Sequence, residues 1–158
     1  IDLILAGYVA SGSDKPFLLI GKTNTRFAGR LQARFAGHQG IRFLGGIYDY
    51  EVLSALRWHA ALYLHGHSVG GTNPSLLEAM ASNAFIAAHD NPFNRTVLGE
   101  HALYFSRAEQ VAGLIGADHS VYRAGWIAAN KAKIEGTYTW SKSAAGHIAA
   151  FEKELARR

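Results

Sequence analysis

The stretch Ala61–Gly99, ALYLHGHSVGGTNPSLLEAMASNAFIAAHDNPFNRTVLG, shows strand and helix patterns in alternation. Ala61–Leu64 is a short continuous apolar run, which fits a strand buried in a parallel sheet. A glycine-rich loop, His65–Asn73, follows. Asn73 is a strong N-cap residue, and Pro74 suits the first helical position because its missing N–H is not needed there. The proline also keeps Asn73 itself out of the helical region. Asn83 can take the left-handed stop, and between these ends Leu76, Leu77 and Met80 face inward. Ala84–Ala87 is the next strand. Asn91-Pro92 repeats the cap and the start, and Gly99 ends that helix.

The alternation continues outward in both directions. Upstream, residues 1–12 read as a helix with Leu3, Ile4 and Tyr8 on one face and Gly12 near the stop. Phe17–Ile20 is a buried strand. Arg26–Ala36 is a helix with Phe27, Leu31 and Phe35 at spacing four and Gly37 at its end. Ile41–Leu44 is a strand closed by Gly45-Gly46, and Asp49 caps a helix running to about Trp58. Downstream, Ala102–Phe105 is a last strand. Helices then occupy about 107–116, about 119–133 and Trp140 to about Ala156. In the last of these, Trp140, Ala144, Ile148, Phe151 and Leu155 form an apolar stripe, expected to serve core or interdomain packing. Near its end Lys153, Arg157 and Arg158 suit the helix dipole.

Short buried strands alternating with helices predict an α/β fold: one domain over 1–158, doubly wound around a mostly parallel sheet and closed by C-terminal helices. Ligands of such sheets bind beyond the carboxyl ends of the strands. That singles out the loops Gly21–Thr25, Gly45–Tyr48, His65–Asn73 and His89–Asn91.

Composition narrows the classes. With 158 residues, 49% apolar and 18% charged, the chain can bury a core and is not of the disordered class. It has no Cys, which excludes disulfides, thiolate metal sites and a Cys nucleophile. No apolar run reaches the length of a membrane span. The net charge of +4 suits anionic small molecules, a membrane surface or nucleic acid, without choosing among them. Lys and Arg do not cluster with aromatics, so no nucleic-acid partner is expected.

The chemistry concentrates at His65–Met80. Gly70 and Gly71 let backbone approach a ligand closely. Thr72, Asn73 and Ser75 lie at the start of a helix, where N–H groups and the dipole favour an anion, most simply a phosphate. Glu78, one turn further on an otherwise apolar helix, needs a donor partner. The vicinal hydroxyls of a ribose would supply two. The alternative is that Gly-Gly is a plain turn and Glu78 bonds to local backbone or water. Lys22 and Arg26 could pair with phosphate or be solvated loop charges. Arg95 reads more readily as half of a surface pair, and Asp49 and Asp90 as capping or loop acids. His65 and His67 alternate as on a strand. With no third ligand nearby, they suggest packing, or for one of them a polar contact to the ligand, and no metal site. Ser68 and Ser75 lack the His/Asp partners of a hydrolase triad.

These residues resemble a known family. NPSLLEAMASNAFIAAHDNPFNRTVLG is similar to the donor-binding half of retaining glycosyltransferases of the GT-B fold, family GT4. Glu78-Ala79-Met80-Ala81 matches the second half of their Glu-x7-Glu motif. IRFLGGIYDYEVLSALRWHAALYLHG resembles the preceding strand, helix and strand, and YTWSKSAAGHI the closing helix. HSVGGTNPSLLEAM is similar to a subgroup that includes bacterial rhamnosyltransferases building surface polysaccharides.

The resemblance implies that Glu78 accepts from the nucleotide ribose. Gly70, Gly71, Thr72, Asn73 and Ser75 would lie against the diphosphate or the donor sugar. Ile47 and Tyr48 would hold the base, and His67, Lys22 and Arg26 would complete the donor site. The first Glu of the motif is Gly70 here, which would suit a less polar sugar such as a deoxyhexose. Such domains usually begin with a strand and a basic loop ahead of the first helix, and follow an acceptor-binding domain. The chain is therefore expected to be a fragment that is inactive alone. The expected substrate is a dTDP- or UDP-sugar, with no cofactor. The expected acceptor is a glycan or lipid-linked glycan, in the cytoplasm or at the inner face of its membrane, with peripheral association of the full-length protein. The competing readings are a nucleotide-sugar epimerase and a non-catalytic nucleotide-sugar-binding module.

Overall fold

A computed structural model describes residues 1–157; Arg158, grouped above with the charges at the helix end, lies outside the described residues. The elements in order are α1 (Asp2–Ser11), β1 (Phe17–Ile20), α2 (Arg26–Arg34), β2 (Ile41–Gly45), α3 (Tyr50–His59), β3 (Tyr63–His65), α4 (Pro74–Ala81), β4 (Ile86–His89), α5 (Pro92–Leu98), β5 (Leu103–Phe105), α6 (Ala108–Gly116), α7 (Ser120–Gly136) and α8 (Trp140–Leu155). The fold is α/β, and every strand pair is parallel.

Helix starts follow capping chemistry. Asp49 Oδ1 accepts from the Glu51 and Val52 amides, Asn73 Oδ1 from Ser75, and Asn91 Oδ1 from Asn94. Thr25 and Thr139 cap α2 and α8 in the same way. Each such cap contributes about 1 kcal/mol. Asn83 adopts the left-handed conformation at φ 54°, as its place after α4 predicts. Gly37 does not act as the stop of α2. The helix ends at Arg34, and Phe35 closes it, its amide bonded to Leu31 O and its ring buried. α7 continues to Gly136, past the expected end at 133, because Ile134 still packs on the core.

β3 and β4 begin two residues later than their apolar runs, and β5 one residue later. The Ala84 amide is held by Ala79 O at the end of α4 (3.0 Å), so it cannot join a ladder. The first rung is Tyr63 N–H to Phe85 O at 2.8 Å, and register then pairs Tyr63 with Ile86 and Ala87 with Leu103.

The doubly wound sheet is divided into two ladders, β1–β2 and β3–β4–β5, with no strand pairing between them. A shared apolar cluster joins them instead. It contains Ile4 of α1, Ala87, Phe105 and Val111 of α6, with Phe17 of β1 and Leu64 of β3 against it. α1 and α6 meet closely because Gly7 has no side chain: a Cβ there would lie 2.6 Å from Ala108 O and from Val111 Cβ.

The two ladders differ in burial. Ile86, Ala87 and Ala88 in β4 are fully buried. The β1–β2 ladder is covered on one face only, where Phe17, Leu19, Ile41 and Phe43 pack with Leu5, Tyr8, Leu31 and Phe35. Its other face leaves Leu18 and Leu44 about 40% exposed, so the expectation of burial on both faces fails there (39% and 42%).

The apolar stripe of α8 is not core either. No α8 residue is buried, and Trp140 is 91% exposed. Among the described residues no helix is long and apolar enough to cross a membrane.

Candidate functional site

The loop between β3 and α4 lies beyond the carboxyl end of its strand, where a parallel sheet presents ligands. Gly70 adopts φ 106°, a conformation that side-chain-bearing residues rarely take. A Cβ at Gly71 would meet nothing within 4 Å, so the loop is open. Residues 67–72 are all exposed.

The donors offered here are loop amides more than helix amides. Pro74 has no N–H, the Ser75 amide is taken by Asn73 Oδ1 at 3.0 Å, and the Leu76 amide by Asn73 O. Ser75 Oγ also donates to Asn73 Oδ1, at 2.7 Å. The sequence expectation that the helix start itself presents free amides is corrected to this extent. The N–H groups of Gly70, Gly71, Thr72 and Asn73 donate to no group among the described residues. They form a row of four at the positive end of α4.

Glu78 is held by a distant side chain rather than by its local backbone. Its Oε2 accepts from Arg57 Nη2 of α3 at 2.8 Å, while Oε1 receives no hydrogen bond among the described residues. The pair is unequal: the Arg57 side chain is 10% exposed and the Glu78 side chain 44%. Arg57 Nη1 is buried with no partner among the described residues. Tyr63 stands beside them; burial pushes its pKa up, and the Arg57 charge and the Ser75 hydroxyl oppose that. Sequence reasoning missed Arg57. The available signal was its spacing of four from Leu53, which puts it on the inward face of α3.

His65 is buried and His67 exposed. Their rings stack at 4.8 Å, and His65 also stacks on Tyr63 at 6.3 Å, which is the packing role expected of it. Burial, and then the charge of His67, lower the His65 pKa to about 4. The base of the loop is tied to α5 through backbone. Asn94 Nδ2 donates to His67 O and His89 O at 3.0 and 2.8 Å, and Asn91 Nδ2 to the same two carbonyls at 3.0 and 3.2 Å. Asn94 is another residue the sequence did not single out. Among the described residues no three His, Asp or Glu side chains converge as metal ligands.

The remaining candidates stand apart. Ile47 and Tyr48 follow β2 in the other ladder, with Tyr48 81% exposed. A Cβ on Gly46 would lie 3.0 Å from the Tyr48 ring, so glycine lets that ring fold back on its own loop. Lys22 and Arg26 follow β1, are exposed, and make no hydrogen bond to residues 65–78. Arg95 forms the surface pair expected of it, and its partner is Asp90, at 2.6 and 2.9 Å, with the guanidinium 4.2 Å over the Tyr104 ring. The chain matches no protein-family model and no curated protein.

Proposed function

We propose that the chain is the donor-binding domain of a retaining glycosyltransferase, holding a nucleoside-diphosphate sugar at the 65–78 segment. The observation that carries this reading is the conjunction of four unpaired loop amides, Gly70 to Asn73, with a half-exposed carboxylate one turn further on. The amides suit a diphosphate, and the free Oε1 of Glu78 suits a ribose hydroxyl. As the glycosyl bond breaks, charge builds on the leaving diphosphate, and fixed N–H dipoles stabilise it without reorganising. Arg57 fixes the orientation of the carboxylate by occupying Oε2. Ile47 and Tyr48 are assigned to the base, and His67 to the sugar side of the loop. With the base at Ile47 and Tyr48 the ligand spans both ladders, and Lys22 and Arg26, which follow β1, are assigned to its phosphates.

The transferred group is a hexosyl or deoxyhexosyl residue, rhamnosyl included, and the acceptor a bacterial glycan or lipid-linked glycan at the cytoplasmic face. An additional strand between β1 and β3 would unite the ladders, and an acceptor domain would complete the enzyme.

The test is calorimetric titration of the chain with UDP and dTDP. Glu78→Gln is the variant of choice, because its amide oxygen still accepts from Arg57. We expect measurable binding by the parent and a loss of about tenfold or more in the variant, the worth of a hydrogen bond to a charged group. Equal affinity in both removes Glu78 from the site; no binding of either nucleotide by the parent sinks the reading.

A further inference from the structure

Charge is unevenly divided along the chain. Residues 15–48 hold six of the 16 Lys and Arg and none of the 12 Asp and Glu, which leaves ten cations against twelve carboxylates elsewhere. The whole positive balance of the protein therefore belongs to the segment that folds as β1, α2 and β2.

On α2 the cations are ordered. Arg26, Arg30 and Arg34 recur every four residues and share one face, all exposed. Arg34 is paired with Asp2 at 2.6 Å, while Arg26 and Arg30 have no carboxylate partner among the described residues. Phe27, 45% exposed, borders the row, with the Arg30 guanidinium 5.9 Å from its ring centre. Arg26, Gly29, Arg30 and Ala33 line an open depression. Gly29 and Ala33 project little, so the guanidinium groups and the Phe27 ring are the outermost groups of this face. The opposite face of α2 is fixed in the core by Leu31.

We infer that the outer face of α2 is a docking surface for an anionic lipid bilayer. Guanidinium groups meet lipid phosphates, and the exposed Phe27 ring beside them enters the headgroup boundary; a cluster of surface cations is drawn to anionic lipid in this manner. A nucleic-acid partner fits less well. Apart from guanidinium groups, this face carries no side chain that could read a base edge, and it has a single ring on which to stack one. Arg26 is shared with the donor-site candidates, but Arg30 and Phe27 are not and lie on a different element from the 65–78 loop, so loss of vesicle binding and loss of nucleotide binding are separate results.

The experiment is co-sedimentation of the protein with vesicles of phosphatidylcholine alone and with about 30% phosphatidylglycerol, at about 0.15 M and about 0.5 M salt. Binding is expected only with phosphatidylglycerol, and weaker at the higher salt. R26Q/R30Q should lower it by roughly 20-fold, F27S several-fold, and the equal-charge control K131Q/K142Q by less than about threefold. All four positions other than Phe27 are exposed charges, and unchanged melting temperatures verify that the variants fold. Three results overturn the inference: no binding to the anionic vesicles, an equal loss in the control, or displacement from the vesicles by a single-stranded oligonucleotide that binds more tightly.

Discussion

Arg57 and Glu78 pair a nearly buried cation with a half-exposed anion, and the two ends of that bond are not equivalent. Removing Glu78 leaves a buried guanidinium with both terminal nitrogens unsatisfied, whereas removing Arg57 leaves a carboxylate that water can reach. Glu78→Ala should therefore destabilise by about 2–4 kcal/mol and Arg57→Met by no more than about 1 kcal/mol, measured by urea unfolding. Similar losses in both would mean that solvent reaches the guanidinium as well. His65 supplies a second prediction at this scale. Its pKa is lowered to about 4 in the folded chain against 6.5 when unfolded. The unfolded chain thus binds the proton more readily between those values. The contribution of the neutral ring is complete above pH 6.5 and is lost as the pH falls toward 4, up to about 3 kcal/mol. His65→Phe should flatten that part of the stability curve, and an unchanged slope would assign the acid loss to other groups.

At the scale of single elements, α5 does more than cover β4. Through Asn91 and Asn94 it holds the carbonyls of His67 and His89, and so sets where the glycine-rich loop leaves the sheet. Asn94→Ala should cost about 1–3 kcal/mol and speed hydrogen exchange at the bonded amides that flank the loop, Tyr63, Ser75 and Leu76. Unaltered exchange there would show that the loop holds its place without α5.

Much of this layer was legible in the chain. Asn73-Pro74 and Asn91-Pro92 state both a cap and a start, so local chemistry alone fixes where α4 and α5 begin. The glycine-rich loop was legible for the same reason, since Gly70 answers to a backbone demand. Strand limits were harder, because Ala84 is apolar yet its amide belongs to the helix before it. Arg57 and Asn94 were not legible as site-supporting residues. Their partners, Glu78 and the carbonyl of His67, lie 21 and 27 residues away, and only the folded chain brings them together. The α8 stripe was legible as an apolar face but not as to what covers it, and of core and interdomain packing the fold removes only the first.

For the molecule as a whole, stability rests on α1 to α7. Because α8 buries nothing, a chain ending after Thr139 should unfold within about 1 kcal/mol of the parent in urea. A larger loss would reveal a contribution from α8 that its burial does not account for. The ladders, by contrast, are held to each other by side-chain packing alone. They have no rung in common, and α1 meets α6 at Gly7 with no room for even a methyl group. That crossing acts as a fulcrum. Gly7→Val should pry the helices apart and pivot the sheet halves, carrying Tyr48 away from Gly70 although both lie in loops beyond the strand ends. Nucleotide affinity would then answer to a residue that touches no ligand, through a helix whose first turn lies against Gly66.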